Sequence, residues 1–197
     1  MANLFESVHT SYSYTAFMQL MEVLVAEGKT SGATQSESLI FFTKLNLQRM
    51  RRWEKTFHLD EKLEQKVKIV KPQIWWIITE AWCGDGAQTM PAMQKMAEAS
   101  GGNISIKIIM RDENPGIMDK YLTNGTRSIP ILASVDAQGN ELFRWGPRPA
   151  PAQKIMMDWK ADAAGRSYDD IEKILHTWYA QDKNETLQQE FLALLDS

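Results

Sequence analysis

A continuous apolar stretch that ends in a glycine-bearing turn constrains this chain more than any other feature. Residues 74–78 read Ile-Trp-Trp-Ile-Ile, a composition that suits a strand buried on both faces of a sheet. The turn Thr-Glu-Ala-Trp-Cys-Gly-Asp-Gly follows, and residues 87–99 then carry Met90 and Met93 at helical spacing. The sequence therefore predicts a strand, a tight turn and a helix, with Cys83, the single cysteine, at the junction.

The junction has two opposing consequences for the thiol. The first N–H groups of a helix lack partners and carry partial positive charge, which biases Cys83 towards thiolate. Asp85 opposes this bias, because two negative charges about 6 Å apart repel by roughly 1–3 kcal/mol. The N-terminus of a helix stabilises a negative charge by only about 0.3–2 kcal/mol, so the two effects are comparable. The sequence leaves open whether Cys83 is acidic, and whether Asp85 acts on the thiol or only caps the helix.

Three short segments resemble the thioredoxin family. Residues 82–86, Trp-Cys-Gly-Asp-Gly, are similar to its active-site pattern Trp-Cys-Gly-x-Cys, and Pro91 stands where thioredoxins carry the proline of the active-site helix. Ile129-Pro130 resembles the segment that holds the family's cis-proline opposite the active-site sulfur. The resemblance spans residues 73–164 and implies an α/β thioredoxin-like fold, a central mixed sheet flanked by helices.

A wider resemblance covers most of the chain. Some bacterial thioredoxin-like proteins carry a Glu-Ala-Trp-Cys-Gly-Asp signature together with a helical N-terminal extension and a helical C-terminal tail. It implies one domain over residues 1–197, in which residues 1–72 are the helical extension, 73–164 the thioredoxin core and 165–197 the C-terminal helices.

Hydrophobic periodicity and turn residues predict the remaining elements. Asp60 is expected to cap its helix, and the Thr34–Glu37 segment has a capping-box pattern. The predicted helices are residues 12–26, 36–56, 60–70, 114–122, a helix that reaches about 164, one around 171–178, and 185–195; the further strands are 103–110, 131–135 and 141–145.

Composition excludes several classes of protein. A net charge of −3 argues against a nucleic-acid partner, and 44% hydrophobic residues are typical of a globular protein. No apolar segment is long enough to span a membrane, and no signal peptide is visible. The three histidines lie far apart without metal-ligand spacing, so we expect no metal and no cofactor. One cysteine excludes an intramolecular disulfide, and a soluble cytoplasmic protein is the expectation.

Two departures from the family's pattern bear on activity. Gly86 stands where thioredoxins carry the second, resolving cysteine, and Ile77 replaces the buried acid that many of them carry. The resemblance therefore implies a monothiol redox protein, in which Cys83 exchanges with protein disulfides or glutathione-type thiols and an external thiol releases the mixed disulfide. The alternative is a thioredoxin fold that has lost catalysis and serves as a peptide- or protein-binding module.

The resemblance also implies which residues form the site. Cys83 is the catalytic candidate, and the binding candidates are Trp82, Gly84, Asp85, Gly86, Ile129 and Pro130. Cys-Gly-Asp-Gly is also similar to the motif of monothiol glutaredoxins, which can hold an iron–sulfur cluster, but the preceding Trp and the helical extensions argue against that group. The oligomeric state stays open.

Three further side chains have open roles. Glu80 either transfers protons in place of the missing acid or is an exposed residue at the end of the strand. Asn46 and Arg49 lie beside the apolar stripe of the second helix, where they either brace neighbouring backbone or reach the site.

Overall fold

The computed structural model describes residues 4–196 and contains a four-stranded mixed sheet covered by helices. Its strands stand in the order β2-β1-β3-β4, with β1 parallel to β2 and the other two pairings antiparallel. The architecture is the mixed α/β fold with extra helices at both ends that the sequence predicts. The strands are β1 Gln73–Thr79, β2 Ile104–Met110, β3 Ile131–Asp136 and β4 Glu141–Trp145.

Helices cover the sheet and extend the chain at both ends. The largest differences from the predicted bounds are in four helices: α4 begins at Gly84 rather than at 87, α5 ends at Met118 rather than at 122, α6 ends at Ala161 rather than at about 164, and α7 extends beyond 171–178 at both ends. After a short 3-10 helix, Leu4–Ser7, the helices are α1 Tyr14–Ala26, α2 Glu37–Thr56, α3 Glu61–Ile69, α4 Gly84–Ala99, α5 Pro115–Met118, α6 Ala150–Ala161, α7 Tyr168–Asp182 and α8 Glu185–Asp196. No helix within residues 4–196 combines the length and the apolar character that crossing a bilayer requires.

Side-chain caps explain where the first helices begin. Asp60 accepts from the N–H groups of Lys62 and Leu63 at 2.9 and 3.3 Å, as expected. Ser36 caps α2 by accepting from the N–H of Leu39 at 3.3 Å. The capping box that starts at Thr34 is therefore wrong, because the helix begins two residues later than that box requires.

Both faces of β1 are buried. Trp75 and Ile77 pack into one core cluster with side chains of α1 to α4 and α8, whereas Trp76 and Ile78 belong to a second cluster that includes Cys83. This alternation places the end of β1 between two apolar layers. The cysteine consequently emerges from the sheet already surrounded by packed side chains.

The C-terminal helices return to the core and to the start of α4. Phe191 of α8 lies 5.1 Å from the Trp75 ring and 5.7 Å from the Trp145 ring, measured between centroids. Helix α7 packs against α6 through a third apolar cluster that contains Leu175 and Tyr179. These contacts bring residues from the end of the chain next to the turn that follows β1.

Candidate functional site

Cys83 is the N-cap residue of α4 and faces the segment before β3. Its Sγ accepts a hydrogen bond from the N–H of Gly86 at 3.3 Å and donates to the carbonyl oxygen of Ile129 at 3.4 Å. The Ile129–Pro130 peptide bond is cis. The predicted juxtaposition of a helix-start sulfur and a cis-proline is therefore present.

The thiol is buried, and burial decides its acidity. Cys83 is 5% exposed, and desolvation raises the pKa of its thiol to about 12, with the negative charge of Asp85 as the next cause. The Gly86 N–H, the charge of Arg148 and the Thr79 hydroxyl lower the pKa by less. The bias towards thiolate expected at a helix start is thus outweighed in the folded chain.

Asp85 pairs with side chains from the C-terminal half. Arg148, in the segment between β4 and α6, approaches its carboxylate to 2.6 Å, and the Tyr179 hydroxyl donates to it at 2.9 Å. The side chains of Asp85 and Arg148 are 11% and 12% exposed, so the ion pair is largely withdrawn from water. Asp85 therefore connects α4 to the C-terminal segments, beyond either role that the sequence left open for it.

Gly84 and Gly86 both stand where a side chain would meet close neighbours. A Cβ at position 86 would lie 2.8 Å from the Thr79 Oγ1 and 3.4 Å from the Cys83 Sγ. A Cβ at position 84 would lie 3.1 Å from the Cε1 of His176. The space that a second cysteine would need is therefore already taken by the hydroxyl of Thr79.

A cavity of roughly 320 Å³ opens beside the thiol. The Arg111 guanidinium stacks over the Trp82 ring, 4.7 Å from its centroid, and forms one wall. Each arginine of the cavity has an aspartate partner: Arg111 pairs with Asp112, Arg127 with Asp119 and Arg148 with Asp85. Its lining includes Trp82, Cys83, Arg111, Arg127, Ile129 and Arg148.

Asn46 and Arg49 of α2 reach the turn that carries the cysteine. The amide of Asn46 is fully buried and donates to the carbonyl oxygen of Ala81 at 3.1 Å, two residues before Cys83. Arg49 donates to the Asn46 side-chain oxygen at 2.9 Å. Asn46 thus braces the backbone of the turn, and it holds Arg49 beside the site.

Glu80 is buried at the end of β1, so the interpretation as an exposed residue is wrong. Its carboxylate accepts from the Ser31 hydroxyl and from the N–H of Asp112, the latter at 2.9 Å. Burial raises the pKa of this carboxyl above its ordinary value, while both hydrogen bonds act in the opposite direction. These bonds join the loop before α2 to the end of β2, which fixes the base of the turn.

Several residues of the site carry no local sequence signal. Gln88 of α4 bonds to the His176 Nδ1 at 3.0 Å and accepts from the Trp53 indole at 2.6 Å. Like Arg148 and Tyr179, these partners lie on distant segments, and sequence reasoning missed all of them. Within residues 4–196 no cluster of three or more His, Cys, Asp or Glu side chains is arranged to hold a metal ion.

Comparison with known families identifies the core of the chain. Residues 32–161, more than half of the chain, match the family model described as Thioredoxin. The match includes α2, the strand β1, the turn with Cys83, the cis-proline and the β3–β4 hairpin. It also reaches into the N-terminal extension, which the sequence placed outside the core.

Individual relatives are similar over different extents. A thioredoxin of Rhodospirillum rubrum is 41% identical over 51 residues, which cover 26% of this chain and about half, 46%, of that protein. Two solved structures share the fold: a protein of unknown function from Pseudomonas aeruginosa has a TM-score of 0.58 at 17% identity, and an HIV epitope scaffold has 0.55 at 18%. Both similarities cover 94% of this chain and 98% of the other, so the fold includes the extra helices.

Proposed function

The chain belongs to the thioredoxin family. We propose that the cavity beside Cys83 and cis-Pro130 is a groove that binds an extended peptide, and that Cys83 does not undergo thiol–disulfide exchange with this peptide. One observation supports the proposal most. The thiol is buried and hydrogen-bonded to the backbone of Gly86 and of Ile129, whereas the cavity next to it is open. A binding module needs the groove and not the thiolate.

The backbone at the cis-proline supplies the contact for a peptide. The N–H of Ile129 donates no hydrogen bond to any acceptor within the described residues. An extended ligand can take that N–H in the manner of an added strand, and the stacked Trp82 and Arg111 form a flat wall beside it. Arg111 and Arg127 pair with Asp112 and Asp119, but a guanidinium has five N–H donors, so both can also donate to a carboxylate of the ligand at this cavity.

The chemistry of the thiol argues against a reductase. A pKa of about 12 leaves roughly one molecule in 10⁵ as thiolate at neutral pH, and thiolate is the attacking species. With one cysteine in the chain, no second thiol within it can release a mixed disulfide. Neither the raised pKa of Cys83 nor the lack of a second cysteine prevents the groove from binding a peptide.

Monothiol exchange is the second candidate, and the N–H of Gly86 favours it. That N–H points at the Cys83 sulfur from 3.3 Å, and Arg148 and Thr79 act on the pKa in the same direction. If a bound disulfide opened the cavity and hydrated the sulfur, these groups would stabilise the thiolate. The products would be a Cys83 mixed disulfide and one free thiol, which an external thiol would then resolve.

The pH dependence of alkylation separates the two candidates. For the binding module, the rate of iodoacetamide labelling of Cys83 in the folded protein should rise about tenfold per pH unit well beyond pH 8.5, because the thiol titrates near 12. The urea-unfolded chain, whose cysteine titrates near an ordinary value of about 8.5, is the reference. A plateau below that value, together with a glutathione adduct seen by mass spectrometry after treatment with oxidised glutathione, would favour exchange.

Binding itself can be measured with a ligand that has no thiol. S-methylglutathione has a peptide backbone and two carboxylates but cannot exchange, and we expect calorimetry to give a dissociation constant below about 1 mM. Arg111→Gln should weaken binding at least about fivefold, since it removes the guanidinium that forms the wall. Arg51→Gln, which breaks an exposed ion pair with Glu22 outside the cavity, is the matched control. Equal affinities for all three proteins would contradict the assignment of the groove.

A further inference from the structure

A second groove lies between α2 and α7 and adjoins the cavity at Cys83. Its volume is about 830 Å³, and α2 contributes Phe41, Phe42 and Arg49 to its lining. Ser38, Phe42 and Glu172 line both this groove and the cavity at the thiol. A ligand that occupies the first cavity can therefore continue into the second without leaving the protein surface.

An exposed aromatic pair forms the apolar part of this groove. Phe41 is 60% exposed, and its ring meets the ring of Phe42 edge-on with centroids 5.6 Å apart. A single exposed apolar side chain is ordinary, but here two adjacent aromatic rings and Leu45 line one depression that leads to the site. The pair suits an aliphatic or aromatic side chain of a ligand.

Arg49 supplies a cation that lacks a carboxylate partner. Its guanidinium donates to Asn46, and no carboxylate of residues 4–196 comes within ion-pair distance of it. Burial lowers its pKa, and the charges of Glu172 and Asp85 counteract this effect. Asp85 pairs with Arg148 at 2.6 Å, and Glu172 lies 3.6 Å from the His176 Nε2. A partly buried guanidinium without a carboxylate in ion-pair distance is complementary to a carboxylate of the ligand.

Arg49 lies beside the turn that carries the thiol. Its Nη1 lies 3.4 Å from where a Cβ of Gly84 would stand, directly after Cys83, whereas Phe41 lies two helical turns earlier on α2. Phe42, the other ring of the pair, lines the thiol cavity itself, so a chain that leaves this cavity along α2 passes close to both the aromatic pair and the cation.

We infer that the α2–α7 groove is a second subsite for the same peptide, and that it takes an acidic residue at Arg49 and an apolar residue at Phe41 and Phe42. The inference rests on the proposed function, since the peptide reaches this groove through the cavity at cis-Pro130. It adds a preference for an apolar residue next to an acidic one, whereas the cavity at the thiol offers only its arginines to a carboxylate.

Selection from a random peptide library displayed on phage tests the preference. The full-length wild-type protein should enrich peptides in which an acidic residue lies within a few positions of Leu, Ile, Phe or Trp. Parallel selections on Phe41→Ser and Arg49→Gln should lose the apolar and the acidic preference, respectively. Retention of no peptide by the wild type would overturn the proposed function and this inference together, whereas retained peptides without the preference would overturn only the inference.

The affinity of one selected synthetic peptide completes the test. Fluorescence anisotropy should show about tenfold weaker binding to Phe41→Ser and to Arg49→Gln. Ile69→Ser and Arg51→Gln, an exposed apolar side chain and an exposed arginine outside the groove, should bind within twofold of wild type. Circular dichroism checks that each variant is folded, and Phe41 is exposed enough for its variant to fold. Equal binding by Phe41→Ser, or a wild-type dimer that this variant dissociates, would contradict a peptide as the occupant.

Discussion

Asp85→Asn is expected to lower the free energy of unfolding by about 3–5 kcal/mol, because it leaves the guanidinium of Arg148 buried without a carboxylate. The pair is largely shielded from water, and the Tyr179 hydroxyl loses its charged acceptor as well. Urea unfolding followed by circular dichroism measures the change. Removing one member of a buried ion pair is more damaging than replacing both, so Asp85→Asn combined with Arg148→Met should lose less than the two single changes added together.

The same substitution should make the thiol more reactive. Asp85 is the largest cause after burial of the raised pKa of Cys83, and Arg148 acts in the opposite direction. Once the carboxylate is neutral, the remaining guanidinium favours the thiolate, and we expect iodoacetamide labelling at a fixed pH to accelerate at least about tenfold. Stability and reactivity would therefore change in opposite directions at one position.

Asp119→Asn is the control for both measurements. It breaks the exposed pair of Asp119 with Arg127, whose two hydrogen bonds are 2.7 and 2.8 Å long. We expect neither the unfolding curve nor the labelling rate of Cys83 to move measurably, because exposed pairs contribute little. If Asp85→Asn behaved like Asp119→Asn, the ion pair at the site would not hold the C-terminal segments on α4.

Gly86→Cys should not restore a working pair of cysteines by itself. Its Cβ would approach the Thr79 Oγ1 to 2.8 Å, and we expect this crowding to lower the free energy of unfolding by about 1–3 kcal/mol. Adding Thr79→Ala removes the obstructing hydroxyl, and the Cys83 sulfur then lies close to the new side chain. The double variant should form a disulfide between positions 83 and 86, but we expect little insulin reduction in a turbidity assay, because Cys83 stays buried beside Asp85.

Gly116→Ala separates crowding from a general cost of replacing glycine. Nothing lies within 4 Å of a Cβ at position 116, so this change should be neutral or slightly stabilising, whereas Gly86→Ala should destabilise. Full reductase activity of Gly86→Cys without the change at Thr79 would show that the site accepts a second cysteine freely. That result would favour monothiol exchange over a dedicated binding module.

Local patterns were sufficient to predict most of the fold. The apolar run of β1, the turn at Cys83 and the strands of the hairpin depend on neighbouring residues, and the structure contains all of them. Helix ends were less accurate, since α4 begins at Gly84 because the side chain of Cys83 provides its cap. The assignment of residues 1–197 to one domain stays a prediction.

By itself, the sequence determined that this chain has one thiol and that this thiol lies where a strand becomes a helix, whereas the resemblance to thioredoxins implied that a proline segment stands opposite it. The place of the thiol follows from residue order, since strand, turn and helix preferences act over a few positions. The tertiary structure alone decided that burial raises the pKa of the thiol, that Asp85 is held by Arg148 and Tyr179, and that Arg49 has no carboxylate of residues 4–196 within ion-pair distance. Desolvation and ion pairing depend on which distant side chains the fold brings together, and no spacing along the chain encodes them.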